Sequence, residues 1–246
     1  MSLLRVQGLC KAFGGVQAVR SIDFSLDDGE TVALIGPNGA GKTTCFNMIG
    51  GQLQPDEGRI EFKDHDLAGM PPHRIWKLGV GRTFQVAATF SSMTVLENVQ
   101  MALLSHHRAL GKLVTPIRRL HVDEAQHLLQ TVGMADHADR ACGLLAYGDL
   151  KRLELALALA NQPALLLMDE PTAGVAAGER ADLMDLIART VRDQGISVLF
   201  TEHDMDVVFG YAQRIIVLHR GSMVADGEPD TVRNDARVRE VYLGAG

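Results

Sequence analysis

The chain has 246 residues, 46 % of them hydrophobic and 22 % charged, an ordinary globular composition with room for a sizeable core in one or two domains. A net charge of −6 argues against nucleic acid as the main partner, since phosphate backbones demand clustered Lys and Arg. Cys10, Cys45 and Cys142 lack metal-like spacing and suit free thiols in a reducing cytosol, and no apolar run approaches the ~20 residues a membrane helix needs. The start, Met-Ser-Leu-Leu-Arg-Val, has no signal-peptide pattern, so a role at a membrane would require a partner to hold the chain there.

In chain order, residues 3–9 and 22–26 alternate as strands do, with a turn at Phe13-Gly14-Gly15. Val32-Ala33-Leu34-Ile35 reads as a short buried strand, and Cys45-Phe46-Asn47-Met48-Ile49 as the first turns of a helix. A turn-rich break at 52–58 precedes a strand at Arg59-Ile60-Glu61-Phe62. Pro71-Pro72-His73-Arg74 opens a short helix, with prolines where a first turn tolerates them, and residues 80–85 are strand-like. From about Ala87 to Leu145 glycines thin out and helical periodicity dominates, as in residues 95–99 and 121–132. The basic and His-rich stretch 105–121 can be read as a nucleic-acid or lipid-facing segment. Without aromatic interleaving, a solvated helix face is the better reading. Helix and strand then alternate again: a helix over 150–161, a strand at 165–168, an amphipathic helix over 180–192 and a strand at 196–201. A hairpin turning at Gly221 and a C-terminal helix over 231–242 complete the chain. The sum is α/β with a mainly parallel sheet, interrupted by an inserted helical piece.

Between the strand 32–35 and the helix at 45–49 stands Gly36-Pro37-Asn38-Gly39-Ala40-Gly41-Lys42-Thr43-Thr44. It fits the phosphate-binding loop G-x-x-x-x-G-K-[ST] in the strand–loop–helix setting that motif requires. Its glycines let several N–H groups point at one place, and the helix behind adds its positive end. Lys42 would reach the β- and γ-phosphates of a nucleotide, and the Thr43 hydroxyl would ligate Mg²⁺. Leu165-Leu166-Leu167-Met168-Asp169-Glu170 is an apolar strand ending in two acids, a costly arrangement without a job. Asp169 can hold a Mg²⁺ shell and Glu170 can polarise an attacking water. Cys45, near a helix N-terminus, reads as a plain packed thiol in preference to a redox group.

These residues resemble the ATP-binding subunits of ABC transporters, and the order and spacing agree over essentially the whole chain. Pro171-Thr172 matches the family's continuation after the two acids. Leu145-Ala146-Tyr147-Gly148-Asp149 lies where the family keeps its signature, usually Leu-Ser-Gly-Gly-Gln. His203 matches the switch histidine, Gln85 the glutamine tying the nucleotide site to the helical subdomain, and Phe13 the aromatic that stacks on adenine. Arg82-Thr83-Phe84-Gln85, the Leu-Ala-Tyr-Gly signature, Glu202-His203-Asp204-Met205 and the tail ending Val241-Tyr242-Leu243-Gly244 are similar to the branched-chain amino acid importer branch, whose relatives also carry urea, amides or aromatic acids.

The resemblance implies a P-loop NTPase core of RecA-like type over residues 1–86 and 147–246, with an N-terminal antiparallel β subdomain. A helical subdomain is inserted at 87–146. It implies an ATPase working as a pair, with ATP between the phosphate loop (residues 36–44) of one subunit and the signature (Ala146, Tyr147, Gly148, Asp149) of the other. Thr43, Asp169 and Gln85 would surround Mg²⁺, Glu170 would act on the water, and Lys42 and His203 would stabilise the γ-phosphate. Partners would be transmembrane permease subunits, a second ATP-binding subunit (a copy or a paralogue) and, indirectly, a solute-binding protein. The location would be the cytoplasmic face of the membrane. Gln85 and the following helices would form the groove for the permease's coupling helix, with Phe90, Met93 and Val95 as groove lining or as core. An exporter or lipid-extraction ATPase shares every catalytic motif, and a soluble ABC ATPase is the third option.

Two departures from the family pattern stand out. The signature Ser is Ala146 and its last Gln is Asp149, which reads as an N-cap for a helix starting near Leu150. After Glu170, Ala176 stands where the family places Asp or Asn.

Overall fold

A computed structural model describes residues 2–83, 89–107 and 120–243. Two sheets carry the chain. The first, in the order β2-β1-β4-β5, is antiparallel. Its strands are β1 (Ser2–Phe13), β2 (Val16–Asp27), β4 (Glu57–Phe62) and β5 (His65–Asp66). β1 and β2 run well past the alternating stretches that announce them, because they form one hairpin from Ser2↔Asp27 to Phe13↔Val16 around Gly14-Gly15. Mutual backbone pairing satisfies the flanking polar residues whatever their pattern.

The second sheet has the order β10-β9-β3-β8-β7-β6. β3 (Thr31–Ile35), β6 (Val80–Thr83), β7 (Leu165–Asp169), β8 (Ser197–Thr201) and β9 (Arg214–His219) are parallel, and β10 (Ser222–Gly227) closes the edge antiparallel to β9. Side chains alternate between its faces. Val32 and Leu34 of β3, with Leu165 and Leu167 of β7, join a core shared with the antiparallel sheet and α1 (Lys42–Ile49). Ala33, Ile35, Leu166 and Met168 join the core on the other face. A sheet buried on both faces needs unbroken apolar strands, which is why these segments lack polar alternation.

Helices α3 (Val95–His106) and α4 (Val122–Thr131) fall between β6 and α5 (Tyr147–Leu159), and their apolar sides join that second core. Thr94 and Glu97 start α3 with a reciprocal capping box. α2 (Pro72–Lys77) opens with proline in its first turn, as expected. The chain continues through α6 (Ala177–Gln194) and α7 (Met205–Tyr211).

The C-terminal helix expected over 231–242 is two helices, α8 (Pro229–Asn234) and α9 (Ala236–Leu243). Asp235 between them is extended (ψ 123°), and its carboxylate accepts the Arg237 N–H at 2.8 Å. A local side-chain acceptor thus competes with the helix ladder. Ala176 is the N-cap residue of α6 and offers no side-chain cap. Ala176→Asp is therefore expected to raise stability by about 1 kcal/mol in a urea titration.

Candidate functional site

β3 delivers the chain into the loop at Gly36, and the loop demands glycine there for two reasons. Gly36 has φ +153°, and a Cβ on it would lie 2.2 Å from the Leu218 carbonyl oxygen on β9. A Cβ on Gly41 (φ +105°) would lie 2.5 Å from the Ala18 carbonyl oxygen. Gly41 is the N-cap of α1 and offers no side chain to its first turn, so the helix's leading N–H groups are left for a ligand. Ala40 is buried, and Asn38 and Gly39 are exposed at the loop's crest. Gly36→Ala forces backbone against backbone; loss of nucleotide binding and a fall in stability of roughly 2–4 kcal/mol are expected in a denaturant titration.

Lys42 is buried, and its Nζ donates to the carbonyl oxygens of Gly36 (2.6 Å) and Pro37 (3.3 Å). Burial pulls the ammonium below its ordinary pKa, and the charges of Glu170 and Asp169 oppose that shift. Lys42 and the two adjacent acids, more than a hundred residues away in sequence, therefore share one electrostatic neighbourhood. Thr43 is exposed and Thr44 half-buried in the same first turn.

Asp169 is 4 % exposed at the end of β7. Its Oδ1 accepts the Thr201 hydroxyl at 2.7 Å, while Oδ2 lies 3.8 Å from Arg82 Nη2, beyond hydrogen-bond range. Glu170 has φ +51°, an uncommon backbone for a residue with a Cβ. Two bonds from its N–H, to the Thr201 carbonyl and the Thr201 hydroxyl (both 3.1 Å), hold it there. Its carboxylate Oε1 meets His203 Nε2, just past the end of β8, at 3.0 Å. The His203 side chain is half-exposed.

Two residues have organising roles that the sequence does not show. Thr201 is the hinge of both acids, bonded to Asp169 and Glu170 at once. Glu202 is buried and accepts from the Thr172 N–H (2.8 Å), the Thr172 hydroxyl (2.5 Å) and the His203 N–H (3.0 Å), clamping the loop after Glu170 to the loop bearing His203. Only the parallel pairing of β7 with β8, Asp169 opposite Thr201, creates these contacts. The one available signal was a buried strand, Ser197–Thr201, ending in polar residues. Thr201→Val keeps the shape and removes the hydroxyl. It is expected to cost about 1–3 kcal/mol of stability and to lower turnover by about ten- to a hundredfold at near-constant ATP affinity, measured by steady-state phosphate release beside an ATP titration.

Phe13 ends β1 with its ring 49 % exposed and Lys11 Nζ 5.8 Å from the ring centroid. Gln85 lies outside the described residues. The residues Ala146 to Asp149 require a correction. Asp149 is not an N-cap: Ala146 is, and the helix is already under way at Tyr147. The Leu150 N–H bonds the Ala146 carbonyl at 3.0 Å, so Asp149 sits inside the first turn, with its carboxylate 3.7 Å from His137 Nδ1. A first-turn acid still favours the helix dipole. The Tyr147 ring presses on Gly174, where a Cβ would stand 2.7 Å from it, and Lys151 Nζ lies 5.6 Å from its centroid. No hydrogen bond or ion pair among the described residues joins 146–149 to the phosphate loop.

A groove of about 470 Å³ lies between the second sheet, α2 and α3, lined among others by Trp76, Phe90, Met101 and Leu157. Of the three residues expected as lining or core, Phe90 is 54 % exposed on the groove and Val95 is wholly buried in the core. Met93 is half-buried. Asn98 fixes Phe90 by accepting its N–H (2.8 Å) and donating to its carbonyl (3.2 Å). No helix among the described residues is long and apolar enough to cross a membrane.

A glycine loop leading into a helix, with a buried lysine facing two acids and a histidine at the ends of parallel strands, defines a P-loop nucleotide hydrolase. Residues 19–173 match the family model of the ABC transporter, and 222–246 match that of the branched-chain amino acid ATP-binding cassette transporter. The chain belongs to the ATP-binding subunits of the ABC transporters, which are ATPases that energise transport. It is 42 % identical to the high-affinity branched-chain amino acid transport ATP-binding protein LivG of Escherichia coli, over 98 % of each chain. It is 39 % identical to the protein BraF, of the same description, from Pseudomonas aeruginosa, again over 98 % of each. Among solved structures it is similar to a nucleotide-free ATP-binding cassette from an ABC transporter, with a TM-score of 0.87 and 32 % identity over 98 % of this chain and 99 % of that one. An ADP-bound cassette gives a TM-score of 0.85 and 33 % identity over 99 % of each chain.

Proposed function

We propose that this chain binds and hydrolyses ATP to drive an importer of branched-chain amino acids. The observation that carries the reading is the gathering of Lys42, Asp169, Glu170 and His203 at the ends of β3, β7 and β8, in a chain so similar to LivG. The phosphate loop, residues 36–44, takes the phosphates with its N–H groups and Lys42, and Phe13 stacks on the adenine. Mg²⁺ fits the donor set: the Thr43 hydroxyl and the Asp169 carboxylate are hard oxygen ligands, and among the described residues the nearest cation to Asp169 Oδ2 is Arg82 Nη2 at 3.8 Å. Gln85 completes that set by resemblance. Held by these residues, Mg²⁺ would supply neutralisation of the charge that develops on the phosphates. Glu170 orients and polarises the water, held by Thr201 and His203. His203 then exchanges its bond to Glu170 for one to the γ-phosphate.

The second half of each site comes from another ATP-binding subunit, a copy or a paralogue, through Ala146, Tyr147, Gly148 and Asp149. Ala146 offers no hydroxyl there, so the phosphate contact falls to the backbone N–H groups of the first turn of α5, that of Gly148 among them. The groove beside Phe90 receives a cytoplasmic segment of a permease subunit. The complex sits on the cytoplasmic face of the membrane, and a solute-binding protein delivers the cargo. Residues 87–146 act as the inserted helical unit between the halves of the nucleotide-binding core.

The test is a tagged pull-down of the Glu170→Gln form with MgATP from the source cell's membranes in mild detergent. The expected result is polytopic membrane proteins together with a second ATP-binding subunit. Recovery of soluble proteins or nucleic acid alone would remove the importer assignment and leave the nucleotide site intact.

A further inference from the structure

The geometry points to a second cation site, remote in chemistry from the nucleotide loop: a transition-metal site of zinc type formed by His107, His121 and Glu124. Among the described residues it is the one group of three such side chains whose ligand atoms lie within 4.8 Å of one another. His107 Nε2 is 3.0 Å and His121 Nδ1 is 3.2 Å from the same oxygen, Glu124 Oε2. Zinc bonds of about 2.0–2.2 Å to nitrogen and oxygen in tetrahedral geometry separate neighbouring ligand atoms by roughly 3.3–3.5 Å. The two observed spacings therefore need to open by only a few tenths of an ångström.

The rings meet face to face, and because an imidazole nitrogen holds a metal near its own ring plane, binding turns one ring out of the stack. His107 and His121 stack with centroids 4.5 Å apart and planes 7° apart, and His106 packs edge-on against His107 at 4.9 Å. The backbone holds each ligand separately. His107 caps the C-terminus of α3, its N–H bonded to the Leu103 carbonyl at 2.9 Å. His121 is the N-cap of α4 with φ +53°, and its side chain turns to Glu124 instead of capping the helix. Glu124 stands in the first turn of α4. The ligands thus come from the end of one helix and the start of the next, and a bound ion would clasp the two together.

The donor set selects the metal. Two imidazoles and one carboxylate suit Zn²⁺, Ni²⁺ or Cu²⁺, whereas Mg²⁺ and Ca²⁺ require all-oxygen shells. All three side chains are partly exposed, so a fourth position stays open to water, which makes the ion exchangeable. The site also abuts the groove. Ser105 lines it, and the next residue, His106, packs edge-on against Trp76, another lining residue, at 5.7 Å. Occupancy braces that wall of the groove.

The experiment uses the full chain, free of a histidine tag and stripped with chelator, titrated with Zn²⁺ by calorimetry and with Co²⁺ by visible absorption. The variants are His107→Asn, His121→Asn and Glu124→Gln, each checked for folding by unchanged ATP binding. One equivalent of Zn²⁺ is expected, with intense tetrahedral Co²⁺ bands. Each substitution should weaken binding at least ~10–100-fold, and millimolar Mg²⁺ should leave the ion in place. No saturable binding up to ~100 μM metal, or binding unchanged in the three variants, would overturn the site and leave a hydrogen-bonded trio only. Displacement by Mg²⁺ would overturn the metal class.

Discussion

Glu170→Gln should leave ATP binding intact while turnover falls by about two orders of magnitude or more, the scale for losing an acid–base group. The structure makes this substitution unusually clean. The backbone turn at Glu170 is held by two bonds from its own N–H to Thr201, which the new side chain does not touch. Glutamine still presents an acceptor oxygen to His203 Nε2, so the 3.0 Å contact can persist. What disappears is the negative charge that can draw a proton from water. Lys42 loses one of its two nearby anions, but Asp169 remains to support its ammonium. Phosphate release under saturating ATP, beside a titration of ATP affinity, separates the outcomes. Hydrolysis near the wild-type rate would refute the role of Glu170 and move the search for the water-activating group elsewhere.

Lys42→Ala should act on binding itself, weakening ATP by roughly ten- to a hundredfold, the effect of losing a charge-assisted hydrogen bond of about 1.5–3 kcal/mol. The ammonium is buried and bonded to two loop carbonyls, Gly36 and Pro37, so it is already held at the loop before nucleotide arrives. Exchanging those carbonyls for phosphate oxygens replaces neutral acceptors with charged ones, a gain in bond strength without new ordering of the side chain. Removing it leaves Asp169 and Glu170 facing the incoming phosphates uncompensated, which adds repulsion to the lost attraction. An ATP titration with unchanged affinity would count against the phosphate-loop reading. The two substitutions differ in what they spare: Glu170→Gln retains affinity and loses turnover, and Lys42→Ala loses affinity.

Much of this site was legible in the residues because its chemistry is local. A phosphate loop needs glycines and a lysine at fixed spacing within one turn of chain, and positions 36–44 carry them in order. The acids at 169 and 170 betray themselves by following an apolar run that ends in charge. Periodicity likewise disclosed the buried strands β3, β7 and β8, since a sheet covered on both faces tolerates little but apolar side chains. Where a stretch is held by partners distant in sequence, pattern failed. The β1–β2 hairpin extends beyond its alternating segments because each strand satisfies the other's backbone. The C-terminal helix breaks at Asp235 because a side-chain acceptor outcompetes the ladder. α5 starts at Tyr147, earlier than the capping residue that Asp149 suggested, because the Ala146 carbonyl already takes the first helical bond. Thr201 holds both acids and Glu202 ties in His203, and although Glu202 stands in a recognised stretch, nothing in the sequence shows what either residue bonds. Their roles exist only once β7 and β8 lie side by side, because a hydrogen bond requires two atoms to meet in space, and no spacing along one strand says which residue will stand opposite on the next.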